Sequence, residues 1–359
     1  MGISGNKGEW SEIYTLFRLL GEGKVHAGDA NMNKLELYYP IINIIREENS
    51  KFEYRPNTDS NIIVINENGE EFGRIPMTKF LEESSKLFSE IKSVKGSSCI
   101  PASEAFMNEI GCKALKAPSA SKADIQIVIH DLRTGMKPQL GFSIKSQLGS
   151  ASTLLNAGNT TNLLYQVVGN DLTDENIEVI NYIESHIPRI KAVYDAGCSL
   201  KFVDIQHETF RDNLQFIDTC MPCFIGECLI VDSELDSTSK VADVVRNVAE
   251  RNPLGYKGKN IEAFYEHKMK VLLTDVALGM TPAKEWLGKY DANGGYLVVR
   301  KDGEIVCYHF YNRNDIEDYL YHNTKFERAS RSRYGFGSLF RGEDGRVYIK
   351  LNLQIRFIK

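Results

Sequence analysis

The 359-residue sequence holds no apolar run near the 18 or so residues that a membrane helix needs, so no spanning segment is expected. Its first residues, Met1-Gly2-Ile3-Ser4-Gly5-Asn6, lack the basic-then-apolar order of a secretion signal, and Asn6 stands where a myristoylation motif requires Ser or Thr. A cytoplasmic address is the expectation. Internal repeats and low-complexity linkers are missing, which excludes solenoids and tethered modules. With no P-loop and no GxGxxG, nothing points to ATP or a dinucleotide. The seven cysteines are an odd number scattered through a long chain, which argues against a disulfide framework. Their one cluster, Cys220-Met-Pro-Cys223 with Cys228 behind it, has no paired Cys or His at zinc spacing. Three buried thiols near a strand-like Cys228-Leu-Ile-Val231 are expected instead. Ser-x-x-Lys begins at Ser4, Ser89, Ser119 and Ser237 and so carries no information, and Gly141-Phe-Ser-Ile-Lys145 fails the nucleophile-elbow pattern at its fifth position.

What is present is ordinary globular composition, 42% hydrophobic and 25% charged, in a chain long enough for two domains or one elaborated catalytic domain. The net charge of −5 argues against a polyanionic partner until its distribution is read. From Lys325 to Lys359 nine basic residues face three acids, a tail of +6 that leaves −11 on the rest. Lys113 to Ser146 adds six cations against Asp124 and Asp131. Localised positive charge on an acidic protein suits a polyanion-binding surface, and a solvated basic strand edge is the competing reading.

Trp10, Ile13, Leu16, Phe17 and Leu20 recur at helical spacing and predict a helix over 8–20. Glu9 and Glu12 project toward its apolar arc. A carboxylate aimed inward must be paired, hydrogen-bonded or bound to a metal, although first-turn acids also stabilise a helix start. A hairpin is expected over 61–75, turning at Asn68-Gly69, then helices near 77–91 and 103–110. Residues 125–130 and 140–146 read as paired strands, 171–184 as an acidic, solvated helix, 296–308 as a hairpin, and 314–321 as a helix leading into the basic tail. This irregular mixture of strands and helices predicts an α/β or α+β chain.

Period-two arithmetic puts Gly141, Ser143, Lys145 and Gln147 on one face of the second central strand and Leu140, Phe142 and Ile144 on the other. A lysine on so apolar a strand needs a reason. If the two strands form a hairpin, Asp124 and Lys145 converge at one end. An acid that binds a divalent cation beside a lysine that orients or deprotonates water is the minimum kit for phosphodiester hydrolysis. A structural Asp–Lys pair is the alternative at this point.

Asp124, a hairpin and Ser143-Ile144-Lys145 resemble the PD-(D/E)xK nuclease signature, with Ala123 in place of the proline and Ser143 where a second acid is usual. The resemblance implies that another element supplies that acid. Glu12 is the first candidate, then Glu9, with Glu109 third; Gln147 matches a glutamine often found two positions after the family lysine. More specifically, Gly5-Asn-Lys-Gly-Glu-Trp-Ser-Glu-Ile-Tyr14, Lys122-Ala-Asp-Ile125, Gly141-Phe-Ser-Ile-Lys-Ser-Gln-Leu-Gly149, Thr153-Leu-Leu-Asn156 with Thr161-Asn162, and Leu351-Asn-Leu-Gln-Ile-Arg-Phe357 resemble the HpaII-type restriction endonucleases. That resemblance runs nearly end to end.

It implies a Mg2+-dependent type II enzyme that cuts duplex DNA at CCGG after the first cytosine. The fold implied is a mixed central sheet flanked by helices, followed by a strand-rich recognition region. Residues 1–95 would be a helix and hairpin region contributing to the core, 96–255 the catalytic core, and 256–359 the basic recognition region. Asp124 would hold Mg2+ with Glu12 or Glu9, Lys145 would act on the attacking water, Gln147 would orient that water or a ligand, and Ser143 would be a bystander or a water-mediated contact. Lys122, Asn156, Thr161 and Asn162 become DNA contacts, with turn formation as the plain reading of the last three. Arg328, Arg331 and Arg333 suit a G·C-only site, because arginine is bidentate to guanine. A palindromic site suits a homodimer, against a monomer acting one strand at a time. A methyltransferase of the same system would protect host sites. The rivals are a repair or structure-selective nuclease on the same scaffold and a sequence-specific DNA-binding protein without cleavage.

Overall fold

The computed structural model describes residues 2–116, 123–235, 237–328 and 337–359. Two compact units divide them: Met1–Ser152 with Tyr290–Tyr319 and Lys359, and Thr153–Lys289 with Leu320–Ile358. This division does not follow the three expected segments, since the hairpin near 300 joins the N-terminal unit.

The first unit is built on a nine-stranded mixed sheet. Its spatial order is Lys24–Gly28, Ile305–His309, Gly295–Val299, Gln139–Ser146, Ile125–Ile129, Lys34–Glu47, Lys51–Asn57, Ile62–Glu67 and Glu70–Pro76, and Lys24–Gly28 also pairs with Lys34–Glu47. Ile125–Ile129 and Gln139–Ser146 pair antiparallel, in the hairpin expected from the alternation. Gly295–Val299 then runs parallel to Gln139–Ser146, with Tyr296 opposite Ser143 and Val298 opposite Lys145. The turn at Asn68-Gly69 has both residues at positive φ, 50° and 92°, as a two-residue hairpin requires.

Helix α1, Lys7–Glu22, covers this sheet. Asn6 caps it: its side-chain oxygen accepts the N–H groups of Gly8 at 2.8 Å and Glu9 at 3.1 Å, while the Glu9 carboxylate accepts the Asn6 N–H at 2.7 Å. The expected stripe of Trp10, Ile13, Leu16, Phe17 and Leu20 is buried. Phe17 packs against Phe80 of α2, Met77–Ser93, and Phe106 of α3, Pro101–Glu109. Burying each such side chain contributes about 2 kcal/mol, which fixes α1 over the sheet.

The second unit combines six helices between residues 174 and 278 with two antiparallel sheets. One sheet orders Cys198–Ile205, Asn162–Gly169, Val347–Asn352 and Leu339–Arg341; the other orders Thr153–Leu155, Ile355–Phe357 and Thr324–Phe326. The strand-like reading of 228–231 is corrected: these residues lie in the helix Met221–Glu234, which is buried on nearly every side. A helix with so narrow a solvent face carries almost no polar stripe, so its period is hard to see in the sequence. Of the three clustered thiols only Cys228 is buried; Cys220 and Cys223 are exposed at the start of that helix. Among the described residues no single helix is long and apolar enough to cross a membrane.

Candidate active site

The site forms where the two central strands begin and end. Asp124 leads into Ile125–Ile129, and its N–H donates to the Phe142 carbonyl at 2.8 Å. Gly141 lets the chain approach so closely, because a Cβ there would come within 2.7 Å of the Ala123 Cβ. The carboxylate folds back over the neighbouring strand. Asp124 Oδ2 accepts the Ile144 N–H at 2.6 Å and the Ser143 hydroxyl at 3.0 Å. Where the signature has a second acid, this chain places a neutral donor that fixes the first one, so Ser143 is engaged with Asp124 directly.

Lys145 extends from the same strand with Nζ 5.1 Å from the centre of the Tyr296 ring. Burial pulls its pKa below the usual lysine range, opposed by the charges of Asp124 and Glu12. Glu12, one turn into α1, is the counterpart. Burial first, then repulsion from Asp124, raises its pKa to about 8, while Arg46 and Lys116 act in the other direction. Its Oε2 is buried with no hydrogen-bond partner among the described residues. Two mutually repelling carboxylates, one with a bare buried oxygen, form a donor set that a divalent cation would satisfy. Among the described residues no three His, Cys, Asp or Glu side chains converge, but Mg2+ commonly takes one or two carboxylates and fills its shell with water and phosphate oxygen. The residues present fit such an ion.

The other candidate carboxylates are occupied. Glu9 closes the capping box and pairs with Lys116 at 2.6 Å, and that lysine chiefly holds its pKa below the usual range. Glu109 is exposed on α3 and paired with Lys79. Gln147 uses its amide within the unit: Nε2 lies 3.2 Å from the Met32 sulfur, and Oε1 accepts the Lys301 N–H at 3.3 Å.

Two participants escaped the sequence reading. Tyr296 was visible as part of a hairpin, but nothing local says which strand that hairpin adjoins. Arg46 is a cation in the apolar run Ile41-Ile-Asn-Ile-Ile-Arg46, the same kind of anomaly that drew attention to Lys145. It is buried, pairs with Glu48 at 3.1 Å and donates to the Ala114 carbonyl at 2.7 Å.

The expected DNA contacts separate by burial. Lys122, Arg331 and Arg333 lie outside the described residues. Asn156 is exposed. Thr161 and Asn162 are buried instead, tied through Asn352: its Nδ2 donates to Asn162 Oδ1 at 2.7 Å and to the Gly158 carbonyl at 2.8 Å, and Thr161 Oγ1 lies 3.4 Å from Asn352 Oδ1. Arg328 is also turned inward. Its Nε donates to Asp232 Oδ2 at 3.0 Å and Nη2 to the Leu235 carbonyl at 3.0 Å, with the Asp232 side chain only 4% exposed. Removing one partner strands a buried charge, so Arg328→Ala is expected to lower stability by about 3 kcal/mol, read from urea unfolding. An unchanged midpoint would mean that Asp232 is not held by this pair.

A sequence model of the HpaII restriction endonuclease family matches residues 6–357. The type II restriction enzyme HpaII of Haemophilus parainfluenzae is 44% identical over 361 aligned residues, covering 99% of each chain. No solved structure matches. Both matches extend through α1, the hairpin of Asp124 and Lys145, and the strands of the second unit, and the chain belongs to the HpaII restriction endonuclease family.

Proposed function

We propose that this protein, a type II site-specific deoxyribonuclease by family, cuts duplex DNA at CCGG after the first cytosine on a PD-(D/E)xK core. The observation that carries the chemistry is the pairing of Asp124 with the bare, buried Oε2 of Glu12, close enough to Lys145 for all three charges to interact. Asp124 and Glu12 would hold Mg2+, and the ion supplies Lewis-acid stabilisation of charge at the phosphoryl group.

The chain's own groups do the rest. Ser143 and the Ile144 N–H keep Asp124 in one orientation, so little reorganisation remains when substrate binds. Lys145, desolvated and lowered in pKa, takes a proton from the attacking water more readily than a surface lysine and, when charged, stabilises the phosphorane oxygens. Water adds in line to phosphorus and the bond to the 3′ oxygen breaks; that oxygen takes up a proton, leaving a 5′-phosphate and a 3′-hydroxyl. Gln147 fixes the end of the catalytic strand and orients the water or a ligand. Lys122 and Asn156 contact backbone and Arg331 and Arg333 read guanines, while the buried Thr161 and Asn162 brace the strand of Asn352 and Arg328 braces the helix of Asp232. The acting form is a two-fold dimer on a palindrome in the cytoplasm, with host sites protected by a methyltransferase.

Digestion of plasmid with Mg2+, on unmodified and CpG-methylated template, tests this. Discrete fragments ending at CCGG, absent from methylated template, support the full reading. A different discrete pattern keeps the mechanism and discards the site. Specific binding to CCGG without product makes the chain a silent DNA-binding protein.

A further inference from the structure

A cavity of about 570 Å³ in the first unit takes no part in the chemistry above. Lys7, Ser146, Gly149, Ser150, Ser152 and Lys359 line it, with no acidic side chain in its wall among the described residues. Lys7 is steadied there by donating from Nζ to the Lys92 carbonyl at 3.0 Å. The 148–152 loop lies against the first turn of α1; a Cβ on Gly149 would sit 3.3 Å from the Lys7 Cβ. Ser146 is pinned at the mouth by the Ser11 hydroxyl at 2.8 Å and the Leu148 N–H at 3.1 Å. The helix end itself is spoken for, because Asn6 already accepts the first free N–H groups. The ligand must therefore be met by the lysines, the hydroxyls and the loop backbone, a donor set with no Asp or Glu side chain among the described lining residues. Such a set selects an anion with several acceptor oxygens.

The position says which anion. The strand that presents Lys145 ends in this wall at Ser146, and the helix that presents Glu12 begins in it at Lys7. A group bound here is fixed relative to both. We propose that the cavity holds a non-scissile backbone phosphate of the bound DNA, which sets the register of the scissile one. The proposal rests on reading the chain as a DNA nuclease.

Its test is salt-dependent binding of a CCGG duplex and a matched duplex without the site, by fluorescence anisotropy in EDTA, for wild type, Lys7→Ala with Lys359→Ala, and Lys7→Arg. Neutralising one phosphate contributes about 0.9 to the slope of log affinity against log salt. The double variant is expected to lose that increment on both duplexes alike, and Lys7→Arg to restore most of it. Wild type then loses about 3.5-fold more affinity than the variant between 50 and 200 mM salt. Thermal unfolding with inorganic phosphate is the second arm: wild type should be stabilised and the double variant not. Phosphate stabilisation that the double variant abolishes, with unchanged DNA slopes, would make this a free-anion site and overturn the proposal. Unchanged slopes and no phosphate response would overturn it with the nuclease reading intact. Wild type that neither binds nor cuts duplex DNA would remove the nuclease reading itself, and this proposal with it.

Discussion

Lys145→Ala is expected to lower the single-turnover rate of cleavage by about 10³-fold or more while duplex binding in EDTA stays within about twofold. The asymmetry follows from where the lysine sits. It rests over the Tyr296 ring beside Asp124, and burial holds its pKa below the ordinary range. A cation that attracted DNA by charge alone would sit in water, where desolvation would not depress it. Lys145→Arg separates the two roles. An arginine keeps the charge but does not give up its proton near neutral pH, so a lysine that accepts the water's proton is not rescued, and one that only stabilises charge is rescued in part. A fall in DNA affinity as large as the fall in rate would sink the catalytic assignment.

The second large effect belongs to Glu12. Glu12→Gln is expected to weaken Mg2+ by more than about 100-fold, since losing even the outer partners of a ligand costs up to that much. In wild type the metal must displace a proton from a carboxyl whose pKa is about 8. Its affinity should therefore climb about tenfold per pH unit below that value and level off above it, whereas in Glu12→Gln the slope should largely vanish. Without metal the sign reverses for stability. The folded-state pKa lies above the unfolded value of about 4.3, so folding takes up a proton between the two. The stability Glu12 contributes is complete below pH 4 and is lost as pH rises to about 8. Metal-free Glu12→Gln should thus match wild type in acid and exceed it by up to about 5 kcal/mol at pH 9, with added Mg2+ closing the gap. Parallel pH profiles for the two proteins would show that Glu12 is not the buried acid.

How much of this was legible depended on distance along the chain. Alternation marked both central strands, and their convergence on Asp124 and Lys145 followed from a single hairpin. Helical spacing marked α1, and burial agreed at all five apolar positions. The ranking of Glu12 before Glu9 came from the resemblance, because both lie near the same arc. Glu9 differs only in being three residues from Asn6, where a capping box claims it. The arginine of the basic tail was readable as charge and not as geometry: Arg328 meets a buried aspartate 96 positions earlier. Residues 228–231 of helix Met221–Glu234 were misread because the buried stretch of a helix and a buried strand share the same run of Ile, Leu, Val and Cys.

The strand Gly295–Val299 carries a consequence for the timing of synthesis. It lies beside the lysine's own strand and brings the ring on which Lys145 rests, yet it follows Lys145 by about 150 residues. At roughly 5–20 residues per second a ribosome needs about eight to thirty seconds to cover that interval. During it the emerging chain holds the Asp124 hairpin and α1 but lacks the neighbour that completes the lysine's pocket. A site assembled in this order lacks the ring under Lys145 until that strand has emerged, so chains truncated before residue 295 are expected to hold the Asp124 hairpin without the support on which the lysine rests.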